Sequence, residues 1–173
     1  MWLTGLCLIC ALFVPVVARA GDLLQPGAAF PAWQLVDQTG ATVTSADLAG
    51  KSYLMWFYPK AMTPGCTAEG DALRDQVAAF EAQGVVILGV SFDPPHANAA
   101  FVQQQRFPFR LLSDKTRQLA VAVGAAATPE QPTARRISYL VGPDGKVRRA
   151  YGTVNPSAHA TEVLGDLTGA PQP

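Results

Sequence analysis

The stretch that decides the fold is "SYLMWFYPKAMTPGCTAEGDALRDQVAAFEAQGVVILGVSF", residues 52–92. From Ser52 to Tyr58 it is a continuous apolar and aromatic run that Pro59 ends, which reads as a buried strand. From Thr63 to Gly84 the pattern turns helical, with Leu73, Val77 and Phe80 at core spacing and Gly84 as the C-terminal stop. "VVILGVSF" is a second buried strand. A strand, a helix and a strand in succession favour a parallel pair with the helix laid across it.

The flanking segments extend this unit. "FPAWQLVDQTGATVTSADLAGK" alternates apolar and polar residues around Gln38-Thr39-Gly40 and predicts an N-terminal hairpin. "PHANAAFVQQQRF" is a second helix, with Asp93-Pro94-Pro95 as its cap and first turn. "RLLSD" is a short strand or turn, and "KTRQLAVAVGA" a third, shorter helix. "RISYLVGPDGKVRRAYG" holds two strands around Pro143-Asp144-Gly145. A last helix starts near Asn155-Pro156. The whole predicts an α/β domain in the order of a thioredoxin-like fold, a central mixed sheet flanked by helices with an N-terminal β-hairpin. The loop "AAATPEQPTA" and the tail "GAPQP" are expected to be mobile.

The chain has 173 residues, 13 Lys and Arg against 13 Asp and Glu, and no basic run. Nucleic acid and acidic membrane surfaces are therefore poor partners. Residues 1–20, "MWLTGLCLICALFVPVVARA", form an apolar core followed by the small-x-small pattern Ala18-Arg19-Ala20, which reads as a secretory signal peptide. No Lys or Arg precedes the apolar stretch, and a membrane span takes about 20 apolar residues. Export to a bacterial periplasm follows, with an uncleaved N-terminal anchor as the alternative. Neither Cys7 nor Cys10 has the small residue before it that a lipid anchor requires. Residues 21–173 are long enough for one domain with its own core.

That domain holds one cysteine, Cys66. An unpaired cysteine in an exported protein is a reactive thiol or an intermolecular linker, and a buried inert residue is the bland alternative. Helix-cap logic favours reactivity. Thr63 is a good N-cap, Pro64 fits the first helical position, Gly65 follows, and Cys66 falls at N3. A capping box places a Glu carboxylate there. A thiolate in its stead would sit among unpaired N–H groups at the positive end of the helix dipole, an environment that favours the ionised nucleophile. Gly65, with no side chain, lets a small substrate approach. Pro59 can shield one side of the sulfur. Arg136, opening "RISYLV", is a candidate second positive group, against the alternative of a solvated arginine beside Arg135. Arg74 also reads as part of a solvated or salt-bridged helix face, and Glu69 as a plain exposed helix residue. His96 and His159 are isolated, and neither has partners at metal-ligand spacing. No metal and no cofactor is called for.

"YPKAMTPGC" matches the Pro-x-x-x-Thr-x-x-Cys active-site pattern of the peroxiredoxins, with Pro59, Thr63 and Cys66 at the defining positions. Together with "LRD", "GVSFDPP", "LLSD" and "RISYLVGPDGKV", it most resembles the bacterioferritin comigratory protein, or PrxQ, branch of that AhpC/TSA family. The resemblance implies a thioredoxin fold and a thiol peroxidase. Cys66 would attack the O–O bond of hydrogen peroxide or an organic hydroperoxide and become a sulfenic acid. Thr63 would offer its hydroxyl to the peroxide, Arg136 would stabilise thiolate and developing charge, Pro59 would exclude water, and the Cys66 N–H would hold a peroxide oxygen. Glu69 and Arg74 fall where the family carries a Glu or Gln and a helix arginine.

The resemblance also has a gap. Many members of the branch carry a resolving cysteine five residues after the first, where this chain has Asp71. The other familiar place, on the next helix, reads "FVQQQRF" and holds none. The chain therefore looks like a one-cysteine type that depends on an external thiol, whether thioredoxin-like, glutaredoxin-like or of low molecular weight. The branch is often monomeric, which implies a monomer or weak dimer. The alternative is a non-catalytic thioredoxin-fold module that senses redox state or binds a partner. A disulfide reductase would need a second cysteine where Thr63 stands, and a copper chaperone lacks both that cysteine and a suitable histidine.

Overall fold

The computed structural model describes residues 21–169; the expected signal segment 1–20 and most of the "GAPQP" tail lie outside them. The sheet contains β1 (Gln34–Asp37), β2 (Thr42–Thr44), β3 (Ser52–Phe57), β4 (Val85–Ser91), β5 (Arg110–Ser113), β6 (Ile137–Val141) and β7 (Val147–Tyr151). The helices are α1 (Pro64–Asp75), α2 (Val77–Ala82), α3 (Pro95–Gln105), α4 (Gln118–Ala122) and α5 (His159–Thr168). Strand order is β2-β1-β5-β4-β3-β6-β7. β3, β4 and β5 run parallel, with an antiparallel hairpin on each side, β1–β2 beyond β5 and β6–β7 beyond β3.

Alternation along β3 divides the interior. Tyr53, Met55 and Phe57 enter one apolar cluster with α4, and Leu54, Trp56 and Tyr58 enter the other with α1, α2, α3 and α5. Both faces of β3 are thus buried, as its unbroken apolar run required. No described helix is long and apolar enough to cross a membrane.

Four local expectations are corrected. The helix drawn from Thr63 to Gly84 breaks at Gln76 (φ −112°, ψ 10°) into α1 and α2; α1 packs on α5 and α3, whereas α2 turns onto β4. The loop 125–134 is anchored rather than loose throughout: Ala125, Ala126 and Ala134 are buried and Gln131 ties Ala127, Thr133 and Arg117 together, while residues 127–130 are exposed. The last helix begins at His159, because Asn155 and Pro156 form a separate turn closed by Asn155. Asp93 does not cap α3, and its carboxylate instead accepts the Ala61 N–H at 2.9 Å.

Candidate active site

β3 ends where Pro59 bends the chain, and Lys60–Thr63 lead it into α1. Thr63 stands at the N-cap with extended backbone and Pro64 at the first helical position, so Cys66 is at N3 as the capping pattern predicts. The Thr63 hydroxyl, however, turns back to donate to the Lys60 carbonyl at 2.9 Å, and makes no capping bond. Cys66 is a free thiol and fully buried.

Arg136 reaches the sulfur because β6 runs antiparallel to β3. Phe57 pairs with Ile137, so the residue before β6 lies beside the end of β3. The antiparallel direction is what brings the two ends together. The Arg136 Nη2 lies 3.4 Å from Cys66 Sγ, while Nη1 pairs with Glu69 Oε2 and approaches the Gly65 carbonyl at 3.5 Å. Gly65 is what permits this approach: a Cβ there would lie 3.1 Å from Nη2. The space expected for substrate beside Gly65 is in part the place of the guanidinium.

Glu69 is not the exposed residue that helix position alone suggests. It is fully buried, and burial raises its carboxyl to about 7 although Arg136 opposes the shift. The buried Trp56 Nε1 lies close enough to oppose the shift as well, but neither it nor Glu69 Oε1 has a hydrogen bond of good geometry. Burial works against the charge of Arg136, but Glu69 and Cys66 together raise its pKa and keep it cationic. Sequence reasoning passed over His159. It is fully buried on α5, 2.9 Å from the Ser138 hydroxyl, and burial and then the Arg136 charge lower it to about 4. Its neutral ring lies edge-on to Tyr151. Its place at the first position of an apolar helix face was the available signal.

Pro59 is half-buried at the strand end. Arg74 stands apart from the thiol: it pairs with Asp71 at 2.6 Å and Asp75 at 2.8 Å and donates to the Gln105 carbonyl at 2.8 Å, tying α1 to the end of α3. Among the described residues no three His, Cys, Asp or Glu converge as a metal site.

A buried thiol at a helix N-terminus, faced by an arginine from the neighbouring antiparallel strand, on a mixed sheet with helices on both sides, defines a thioredoxin-like domain built around one cysteine. Residues 26–150 match the AhpC/TSA family, and the chain belongs to it. Peroxiredoxin Bcp of Escherichia coli is 35% identical over 151 residues, covering 84% of this chain and 93% of its own. The crystal structure of peroxidoxin BcpB from Mycobacterium tuberculosis superposes with a TM-score of 0.79 at 29% identity, over 86% of this chain and 99% of that one. Peroxiredoxin Q of Xanthomonas campestris gives 0.75 at 32% identity, over 85% and 96%. A further structure from that organism, with the same figures, is described for the alkyl peroxide reduction activity of its bacterioferritin comigratory protein. These relatives support a thiol peroxidase, an oxidoreductase that takes a peroxide and a thiol reductant.

Proposed function

We propose that this chain reduces hydrogen peroxide or organic hydroperoxides through Cys66 alone. The observation that carries the reading is the 3.4 Å contact of Arg136 with the sulfur, made by a guanidinium that Glu69 holds from its other edge. The thiolate attacks the terminal peroxide oxygen. An S–O bond forms as the O–O bond breaks, and the leaving oxygen takes a proton and departs as water or alcohol, with Cys66 left as a sulfenic acid. Arg136 lies where it favours the attacking thiolate and the charge that develops on the oxygens. The Cys66 N–H and, after rotation from Lys60, the Thr63 hydroxyl are the donors for the peroxide, while Pro59 limits water.

No second cysteine lies among the described residues, which supports reduction by an external thiol. One thiol condenses with the sulfenic acid and releases water. A second thiol then frees Cys66 and leaves as a disulfide. The same reading makes the protein exported through residues 1–20, and a monomer or weak dimer. Purified protein should consume peroxide when supplied with a thiol, and dimedone should label Cys66 in peroxide. Labelling without turnover under any of thioredoxin, glutaredoxin or a small thiol would favour a sensing module instead.

A further inference from the structure

The loop that delivers the thiol holds a strained residue. Met62 adopts φ +65°, a left-handed conformation, and is 41% exposed. That conformation costs a non-glycine residue about 1–2 kcal/mol, and it persists only where surrounding contacts over-determine the backbone. On one side the Thr63 hydroxyl is bonded to Lys60. On the other, the Ala61 N–H donates to Asp93 Oδ2 at 2.9 Å, from 32 residues away. Asp93 is fixed in turn: the Ser91 hydroxyl donates to the same oxygen at 3.0 Å, and the Asp93 N–H donates to Ser91 Oγ at 3.2 Å.

A second tie lies deeper. The Tyr58 hydroxyl donates to Asn98 Oδ1 at 2.7 Å, and Asn98 Nδ2 donates to Ser113 Oγ at 3.2 Å. Asn98 is fully buried on α3, and burial keeps Tyr58 protonated and able to donate. The start of the loop Tyr58–Thr63, at Tyr58, and its middle, at Ala61, are therefore bonded to one corner of the fold, where β4 runs into α3.

We propose that Asp93 and Asn98 are positioning residues of the thiol site: they clamp the loop Tyr58–Thr63 from the β4–α3 corner, hold Met62 in its strained turn, and so set the start of α1 and the place of Cys66. The rate consequence rests on the peroxidase reading; the clamp itself does not. Asp93→Ala removes the acceptor for Ala61, whereas Asp93→Asn retains an oxygen. The alanine variant is expected to lose about 10-fold or more in kcat/KM for peroxide, since sub-ångström misplacement at a reacting centre has effects of that order. Its Lys60–Ala61 bond should become open to trypsin, and Asp93→Asn should restore both properties. In the wild-type protein, the Ala61 amide should exchange more slowly than those of Lys60 and Met62, a measurement that needs no variant to fold. Wild-type rates and trypsin resistance in Asp93→Ala, or an Ala61 amide that exchanges as fast as its neighbours, overturns the clamp. If wild-type protein consumes no peroxide, the peroxidase reading fails and the proteolysis and exchange results decide the clamp alone.

Discussion

Two fully buried groups feel the charge of Arg136, and they titrate in opposite senses. Burial raises Glu69 from 4.5 to about 7. Between those values the folded protein holds a proton that the unfolded chain has released, so this group makes stability fall as pH rises. Burial, then Arg136, lowers His159 from 6.5 to about 4. There the unfolded chain holds the extra proton, so this group makes stability rise with pH across its window. Each effect amounts to about 3 kcal/mol in all, at about 1.4 kcal/mol per pH unit. From pH 4.5 to 6.5 the two slopes oppose and nearly cancel.

Glu69→Gln removes one slope while keeping an acceptor for Arg136. Its stability should drop by about 3 kcal/mol relative to wild type as pH is lowered from about 7 to 4.5, roughly 6–12 °C in midpoint. His159→Gln should show the opposite, gaining by a similar amount relative to wild type as pH falls from about 6.5 to 4. Urea unfolding of the three proteins across this range is the assay, and the other carboxylates drop out of the differences. Variant curves that run parallel to wild type at every pH would refute the opposed titrations.

Other expectations follow from single contacts. Gly65→Ala puts a methyl 3.1 Å from Arg136 Nη2; iodoacetamide alkylation of Cys66 and peroxide reduction should both slow by roughly 2–5-fold, and unchanged rates would mean the guanidinium gives way without consequence. Arg136→Gln should lower kcat/KM by about 100-fold or more, the scale of losing one preorganised donor. The Gln variant should remain folded, with a larger stability loss above neutral pH, where Glu69 would ionise without a cation, than below it. Arg74→Ala should cost about 1 kcal/mol and reduce amide protection at the end of α3; no change in either would remove its assigned tie between α1 and α3.

How far the sequence could be read depends on how local each cause is. The β3 run and its two-sided burial, the hairpins, and the N3 position of Cys66 are dictated by neighbours a few residues away, and all stand in the structure. Asp93 shows the opposite case. Asp-Pro-Pro before a helix satisfies every local rule for a cap, yet its carboxylate serves Ala61 across the fold. Glu69 looked like an exposed helix residue because spacing says nothing of the arginine that another strand brings to it. His159 has a carboxylate three residues on, Glu162 at 3.5 Å from Nδ1, but its closer bond to Ser138 exists only once α5 lies on β6. The break at Gln76 arises from α1 and α2 packing on different elements, which the continuous helical pattern hid.

The central claim, that Cys66 is the single peroxide-reacting group, is tested most directly by following peroxide consumption with a thiol reductant in wild type and in Cys66→Ser, with dimedone mass mapping of the wild-type protein. The account requires catalytic loss of peroxide and a sulfenic acid at Cys66 in wild type, and no turnover in the serine variant. Equal turnover in the two proteins would contradict it.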